Sequence, residues 1–336
     1  ILHLPAIAFA AGRRRPTGED WDRVNRQVPR LVDVLPNGPQ YHPTVRAFMA
    51  GGVPEAMLHL RRMGLLEEGA MTATGATLGE NLDWWEQSER RQLFRCRLRD
   101  VDGVEADDVI MDPERARSKG LTSTVCFPVG NIAPEGSVVK STAIDPTVVG
   151  DDGIYRHRGP AKIFVRERAA IAAIKDGEIA PGDVMVLISC GPMGTGMEEI
   201  AQITIALKYL EFGKRVAVIT DARFSGFSTG ACIGHVGPEA LAGGPVGKLV
   251  DGDLIEIEID CEQLQGRIDL VGHGEEEFGA EEGGRLLAER EPRPDLSPEE
   301  ELPEETRLWA ALQNAGGGTW GGCVYDVDRI VETLKA

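Results

Sequence analysis

The sequence predicts an α/β protein whose first part, residues 1–105, is mainly helical and whose second part, residues 106–336, mixes strands with helices. Helix signals dominate residues 1 to about 95. Short runs rich in Val and Ile, separated by Gly and Pro, begin after Asp107, and helical stretches lie between them. With 336 residues, the chain is long enough for about two domains and a sizeable core.

The first part contains several candidate helices. An apolar stretch at 1–12 is followed by three arginines, whereas a signal peptide carries its charges ahead of the apolar run, so we expect a helix that begins within a domain. A second helix is expected to start at Pro54 and to end before Gly64, because Pro suits the first turn and Gly the residue past the end. The remaining candidates are residues 20–34 and 78–86.

Strands and helices are expected to alternate in the second part. One apolar run alternates Leu or Ile with Glu or Asp, which is typical of a strand with one buried face. Helices are expected over 167–175 and 197–212, since Gly177 and Gly213 follow them. The runs that predict strands are 162–165, 183–189, 215–221 and the alternating run 254–260.

Composition excludes several classes of protein. The net charge of −18 argues against a nucleic-acid partner, because phosphate binding needs clustered Lys and Arg. No apolar run reaches the roughly 18 residues of a membrane span. The six cysteines lie at least 29 residues apart, which gives no zinc spacing and suggests the reduced thiols of a cytoplasmic protein. Residues 275–305 carry thirteen acids and three arginines, which predicts a solvated lobe or an acidic docking surface.

A glycine-rich loop at 190–196 follows one predicted strand and precedes a predicted helix. Such a loop favours an anion, but the third glycine of a dinucleotide fingerprint is replaced here by Glu199. A carboxylate would repel a pyrophosphate, whereas it could bind a hard cation such as Mg²⁺. The alternative is that Glu198 and Glu199 stabilise the first turn of the helix.

A second turn, after the strand at 215–221, holds Ser225. The nucleophile-elbow pattern would need glycine at Arg223 and Phe227, so that pattern is not met, although Ser225 and His235 could belong to a triad. The alternative is an ordinary Gly/Ser turn. Arg223 could bind a carboxylate or pair with Asp221. A third segment, 127–137, is interpreted as a rigid connection, and the six histidines show no HxxxH zinc motif.

Three segments together resemble one family. They read GNIAPEGS (130–137), GPMGTGMEE (191–199) and TDARFSG (220–226), and their order and spacing are similar to those of the dihydroxy-acid / 6-phosphogluconate dehydratase family. Further matches lie at 77–81, 159–161 and 234–245. Ala222, Thr229 and the tail segments 306–313 and 317–328 resemble the sugar-acid branch, which dehydrates D-xylonate and related aldonates.

This resemblance implies the loss of water from a 2,3-dihydroxy acid to give a 2-keto-3-deoxy acid. It implies an iron–sulfur cluster and Mg²⁺ as cofactors, Ser225 as the catalytic base and Glu199 as a Mg²⁺ ligand. A serine hydroxyl is a poor base unless a cation or fixed N–H donors stabilise its alkoxide, and the turn around Gly226 could provide such donors. By position, the candidate substrate contacts are Gly196, Met197, Arg223, Gly226 and Thr229.

The resemblance also implies a fold and an assembly. Residues 106–336 would form a swivelling β-barrel-like domain with flanking helices, similar to the mobile domain of aconitase. Residues 1–105 would be the end of a doubly wound α/β domain, with the linker. Homodimers or homotetramers are usual in this family. The family's cluster cysteines, its other Mg²⁺ ligands and a modified lysine would precede Ile1, so no cluster cysteine is expected in this chain, which alone would be inactive.

Other functions remain open at this point. Within the family, the substrate could be a branched-chain dihydroxy acid or 6-phosphogluconate. A different class would be a non-catalytic module that uses the 191–199 loop to bind an anion. A serine hydrolase built on Ser225 is a further alternative. The expected partner in the leading hypothesis is a small sugar acid, with neither nucleic acid nor a membrane involved.

Overall fold

The computed structural model describes residues 1–35, 37, 38, 40 and 42–335 and divides into two compact units. One unit comprises residues 1–24 and 125–336, and the other comprises residues 25–124. The sequence-based boundary at residue 105 stays a prediction. Within the described residues, no helix has both the length and the apolar character that crossing a membrane requires.

The α/β class is confirmed by the arrangement of helices and strands. The helices are α1 His3–Ala10, α2 Gly18–Gln27, α3 Thr44–Ala50, α4 Gly52–Arg62, α5 Leu78–Gln87, α6 Glu89–Asp102, α7 Ala106–Val109, α8 Pro113–Ser118, α9 Glu167–Lys175, α10 Pro192–Thr195, α11 Gln202–Lys208, α12 Gly279–Glu289, α13 Glu304–Ala315 and α14 Val327–Lys335. The strands are β1 Val125–Cys126, β2 Gly136–Lys140, β3 Ile154–Val165, β4 Val184–Ile188, β5 Glu199–Ile200, β6 Ala217–Thr220, β7 Arg223–Phe224, β8 Cys232–Gly237, β9 Asp253–Asp260, β10 Gln265–His273 and β11 Glu276–Glu277.

A nine-stranded mixed sheet organises the larger unit, in the order β1-β2-β8-β6-β4-β3-β9-β10-β11. The central strands β3, β4, β6 and β8 run parallel, and the flanking pairs are antiparallel. All residues of β4 are buried because both faces of the sheet are covered. Val184, Val186 and Ile188 pack into one apolar cluster, and the intervening Met185 and Leu187 pack into the other.

Helices cover the two faces of this sheet. On the side of Met185, the cluster takes in Ala170 of α9 and Ile203 and Leu207 of α11. On the opposite side, the second apolar cluster includes Leu287 of α12. The continuous apolar character of β4 and β6 therefore follows from burial on both faces. The alternation in β9 follows instead from full burial of one face, since its even-numbered positions are only partly buried.

The smaller unit is helical and has its own core. Ala50, Leu98, Val109 and Ile110 form a cluster between α3, α6 and α7. Helix α5 begins with a capping box, in which the Thr77 hydroxyl accepts the Glu80 N–H and the Glu80 carboxylate accepts the Thr77 N–H.

Most predicted elements are confirmed, with two helices that differ in extent. The candidate at 20–34 is α2, which ends at Gln27 shortly before Pro29. The candidate at 197–212 is shorter and begins at Gln202. Gly196 and Met197 have positive φ, which ends α10 and prevents one continuous helix. Placing Glu198 and Glu199 in the first turn of a helix is therefore wrong.

Candidate functional site

The loops that follow β4 and β6 meet at one edge of the sheet. Neighbouring parallel strands direct their carboxyl ends to the same edge, where α/β proteins commonly bind ligands. The loop after β4 carries α10 and then β5, and the loop after β6 carries β7 and Ser225. The two motifs singled out in the sequence therefore lie side by side.

A two-stranded parallel ladder joins these loops. Glu199 of β5 pairs with Arg223 of β7, and Ile200 pairs with Phe224. The Arg223 N–H donates to the Glu198 carbonyl at 3.3 Å, and the Ser225 N–H donates to the Ile200 carbonyl at 3.0 Å. Ser225 therefore lies directly after β7, beside the strand that carries Glu199.

Ser225 lies in a tight turn that orients its hydroxyl. Its side chain is 9% exposed, and its Oγ accepts the Phe227 N–H at 3.4 Å. The Ser228 N–H closes the turn by donating to the Ser225 carbonyl at 2.9 Å. The turn around Gly226 thus presents the Phe227 N–H to this hydroxyl, and the role of that donor in activating Ser225 stays a prediction. Gly226 itself is exposed, and Thr229 is partly exposed in the same loop.

His235 does not complete a triad within the described residues. Its Nδ1 is buried without a hydrogen-bond partner, and burial lowers the pKa of the imidazole to about 4. The Ser225 hydroxyl makes its contact with the Phe227 N–H, and no hydrogen bond joins His235 to Ser225 in the described chain. Ser225 and His235 therefore do not form the serine–histidine pair of a catalytic triad in this part of the structure.

Asp221 ties the surrounding loops together. This fully buried carboxylate accepts the Ser189, Cys190 and Ala240 N–H groups at 3.0–3.2 Å. Burial raises the pKa of Asp221, although the three N–H donors oppose that effect. The suggested Arg223–Asp221 pair is wrong, because Asp221 is fully buried and bonded to backbone N–H groups whereas Arg223 is exposed. In the described residues, the Arg223 guanidinium remains available to a ligand.

Glu239 fixes the loop that leads to Glu199. Both of its carboxylate oxygens lie 3.0 Å from the Met193 nitrogen, which donates to them. Burial and the neighbouring Asp221 raise the pKa of Glu239 to about 8. A Cβ at Gly191 would lie 2.3 Å from the Glu239 Oε2, so only glycine fits there. The sequence analysis did not single out Glu239, because only tertiary contacts bring it to this loop.

The loop residues proposed as substrate contacts differ in accessibility. Gly196 is exposed and has a φ of 75°, whereas Met197 is buried, with 5% of its side chain exposed. Met197 therefore contributes to this edge mainly through its backbone, and Gly196 presents its backbone to solvent.

The 127–137 segment is a connection, as interpreted from the sequence. The Asn131 side chain donates to the Leu270 and Ala280 carbonyls and accepts the Leu270 N–H at 2.7 Å. These bonds fasten the segment to β10 and α12, so Asn131 has a structural role.

The Glu199 carboxylate fits a hard cation. The carboxylate is exposed, and within the described chain it makes no hydrogen bond or ion pair, so its oxygens are available. Oxygen donors of this kind suit Mg²⁺. In the described residues, no three His, Cys, Asp or Glu side chains converge as a metal site, so Glu199 would supply only part of the coordination sphere.

The described cysteines do not fit an iron–sulfur cluster. Cys126, Cys190 and Cys232 are buried, and burial raises the pKa of each thiol, to about 12 for Cys232. Cluster ligation needs thiolates, which these surroundings disfavour. Cys96 is exposed, and Cys261 and Cys323 are partly buried. The residues of this chain therefore provide no cluster site in the part that the structure describes.

Comparison with known proteins identifies the family. Residues 108–285 match the family model described as dihydroxy-acid/6-phosphogluconate dehydratase C-terminal, and residues 1–81 match the corresponding N-terminal model. The chain belongs to the dihydroxy-acid / 6-phosphogluconate dehydratase family.

Its relatives include sugar-acid dehydratases. The chain is 63% identical over its whole length to the Escherichia coli D-xylonate dehydratase YagF and 60% identical to the E. coli D-xylonate dehydratase YjhG. It is 39% identical over 272 residues, 81% of this chain, to a dihydroxy-acid dehydratase of Solidesulfovibrio magneticus, of which it covers 44%. The chain spans about half the length of these relatives, 51% of YagF and 52% of YjhG.

Proposed function

We propose that the complete protein is a hydro-lyase that dehydrates a sugar acid, D-xylonate or a related aldonate, to a 2-keto-3-deoxy acid. The observation that carries this proposal is the β5–β7 ladder, which puts Ser225 beside the strand of Glu199. The identity to D-xylonate dehydratases over the whole chain supports the choice of an aldonate.

In this proposal Ser225 is the base for the C2 proton. The Ser225 Oγ, as its alkoxide, takes the proton from C2 while the C3 hydroxyl leaves with the electron pair of the C3–O bond as hydroxide. The hydroxide then takes up the proton held by Ser225, which releases water and restores the alkoxide, and the enol tautomerises to the 2-keto acid. The net change is the loss of one water. The Phe227 N–H, 3.4 Å from Oγ, stabilises the negative charge on the alkoxide before the proton is transferred.

The other residues of the ladder bind and orient the substrate. Arg223, exposed beside Glu199, is suited to the substrate carboxylate, and Gly196, Gly226 and Thr229 line the same edge. Met197 shapes the loop from its buried position. When bound, Mg²⁺ would supply positive charge that polarises the substrate, and Glu199 would be one of its ligands.

Several properties of the complete protein belong to the same proposal. The family resemblance supports an iron–sulfur cluster bound by residues outside those described here, a swivelling β-barrel-like domain, and a homodimer or homotetramer in the cytoplasm. This chain alone would then be inactive.

A branched-chain dihydroxy acid is the second candidate substrate. The 39% identity to a dihydroxy-acid dehydratase favours it, but the identity to the D-xylonate dehydratases is higher and covers the entire chain.

The test is an assay of the complete protein, purified without oxygen and supplied with Mg²⁺. We expect 2-keto-3-deoxy acid from D-xylonate or another aldonate, and little from 6-phosphogluconate or a branched dihydroxy acid. Ser225→Ala should lower kcat by a factor of about 10³ or more, because no other base replaces the hydroxyl.

Ser228→Ala is the matched control for this test. It removes a hydroxyl from the same turn, where the Thr204 hydroxyl donates to the Ser228 Oγ at 3.2 Å. Its activity should stay within a few-fold of the unaltered protein. Aldonate turnover that survives Ser225→Ala would rule out Ser225 as the base, and turnover of the branched acid alone would rule out the aldonate.

A further inference from the structure

Lys140 lies at the end of β2, next to the Ser225 turn. Its backbone pairs with Val125 of β1, and its side chain reaches the loop that follows β7. The Lys140 Nζ donates a hydrogen bond to the Gly226 carbonyl at 2.6 Å. Neither sequence motif included this lysine.

The peptide unit between Gly226 and Phe227 connects Lys140 with Ser225. Its carbonyl oxygen accepts from the Lys140 ammonium, and its N–H donates to the Ser225 Oγ at 3.4 Å. In a trans peptide the C=O and N–H point in opposite directions, so the ammonium and the hydroxyl lie at opposite ends of one dipole. A cation at the carbonyl end polarises the group and strengthens the N–H as a donor.

The surroundings of Lys140 leave its charge uncompensated. In the described chain no carboxylate forms an ion pair with it, and its Nζ lies 5.8 Å from the centre of the Phe224 ring. Burial lowers the pKa of Lys140, and the nearby Cys232 thiol is buried, with its pKa raised. An ammonium without an anion beside it acts more strongly on the Gly226 carbonyl than one that is neutralised or fully hydrated.

The turn has anchors that do not depend on Lys140. The Ser225 N–H donates to the Ile200 carbonyl at 3.0 Å, and the Gly230 N–H donates to the Ala143 carbonyl at 2.8 Å. These bonds hold both ends of the loop, so the loop does not depend on Lys140 for its position. The hydrogen bond from Lys140 to the Gly226 carbonyl therefore adds mainly a positive charge at the middle of the loop.

We propose that Lys140 is a positioning residue that polarises the Gly226–Phe227 peptide, so that the Phe227 N–H stabilises the alkoxide of Ser225. This inference rests on the proposed function of Ser225 as the base. Lys140 does not touch the substrate in this account, and it exchanges no proton during the reaction.

Lys140→Met tests this role in the complete protein, loaded with its cofactors. Removing the charge should lower kcat with a pentonate roughly tenfold, less than the factor of about 10²–10³ typical when an oxyanion donor is removed outright. KM should change little, because the substrate is not contacted. With substrate deuterated at C2, the isotope effect on kcat should be at least as large as in the unaltered protein, since proton abstraction is the step that slows.

Two further variants separate charge from shape. Lys140→Arg keeps a cation that can reach the carbonyl and should recover most of the lost kcat, whereas Lys140→Gln keeps a donor without the charge and should not. Lys214→Met is the matched control, because Lys214 contacts Thr147 at 2.7 Å in another loop and should leave kcat unchanged. Thermal unfolding of each variant shows whether it is folded.

The outcomes distinguish this inference from the proposed function. If the unaltered protein is active and Ser225→Ala is not, but Lys140→Met retains full kcat, the role of Lys140 is overturned and the function stands. A loss confined to KM, a smaller isotope effect, or equal recovery by Lys140→Gln and Lys140→Arg would also overturn it. Activity that survives Ser225→Ala contradicts the proposed function itself.

Discussion

Two buried carboxylates, Asp221 and Glu239, determine the backbone around the candidate site. Asp221 binds N–H groups from the loop after β4 and from residue 240, and Glu239 binds the Met193 N–H in α10. Carboxyl groups buried in this way are costly to ionise unless backbone donors surround them. Their arrangement makes the loop before Glu199 dependent on side chains that are distant in sequence.

Glu239→Gln should change how stability depends on pH. Burial raises the pKa of Glu239 to about 8 in the folded protein, above its ordinary value of 4.5. Between these values the folded state retains a proton that the unfolded state has lost, so this group makes stability fall as pH rises. Gln does not ionise, and the variant should therefore gain stability relative to the unaltered protein between pH 5 and pH 8.

Denaturant unfolding at pH 5, 6.5 and 8 measures this difference. The difference in free energy of unfolding, variant minus unaltered protein, should increase by about 1 kcal/mol or more from pH 5 to pH 8. One pKa unit corresponds to about 1.4 kcal/mol. Glu178→Gln, at an exposed position, is the control and should show no such trend. A parallel pH dependence in all three proteins would contradict the assignment.

At the scale of single elements, helix α11 begins with a cap from another helix. The Glu167 carboxylate, in the first turn of α9, accepts the Ala201 N–H at 3.1 Å and the Ile203 N–H at 2.9 Å. These donors would otherwise lack partners at the start of α11. The cap also stacks α9 against α11 on the Met185 side of the sheet.

Glu167→Ala should destabilise the larger unit by about 1–2 kcal/mol, the usual cost of losing a cap. Equilibrium denaturation measures the loss. Arg168→Ala, the adjacent exposed position in α9, should change stability by less than about 0.5 kcal/mol. Equal stability of the two variants would mean that the carboxylate contributes nothing as a cap.

Helices α9 and α11 show which features of an element can be predicted from the sequence and which cannot. Helix α9 was predicted with its observed bounds because its signals are local. The start of α11 was misplaced because its cap comes from residue 167, and strands β5 and β7 have two residues each, too short for a periodic pattern. Ser225 and Glu199 were singled out from sequence motifs and the family resemblance, and their roles stay predictions. Glu239 and Lys140 were missed because only tertiary contacts bring them to the site.

At the scale of the molecule, strand order is the feature that the sequence did not reveal. The apolar runs at β4, β6 and β9 were recognised individually, whereas residues 154–161 of β3 were missed because the exposed Arg156 and Arg158 interrupt the apolar pattern. Within this order, the pairs β2–β8 and β3–β9 join segments more than 80 residues apart. Such pairings depend on long-range packing. This order brings the β4 and β6 loops together.

The proposed Mg²⁺ site likewise belongs to the scale of the complete molecule. Mg²⁺ takes about six oxygen ligands, and several of them are usually water. Glu199 offers one uncommitted carboxylate at the edge of β5, so if it binds Mg²⁺ as proposed, the remaining ligands would come from substrate, water and residues outside this edge. The metal would therefore bind tightly only where the complete protein and the substrate meet.

Glu199→Gln should consequently raise the Mg²⁺ concentration needed for half-maximal activity of the complete protein by about tenfold or more, because a neutral amide is a weaker ligand than a carboxylate. The measurement is a Mg²⁺ titration of aldonate turnover, with isothermal titration of Mg²⁺ as a second readout. Glu211→Gln is the matched control, since Glu211 is exposed on the segment after α11. Because the Glu199 carboxylate makes no hydrogen bond or ion pair in the described chain, its replacement by an amide should leave the unfolding temperature unchanged. An unaltered Mg²⁺ requirement would exclude Glu199 as a ligand, whereas a lower unfolding temperature would show that its carboxylate serves the fold.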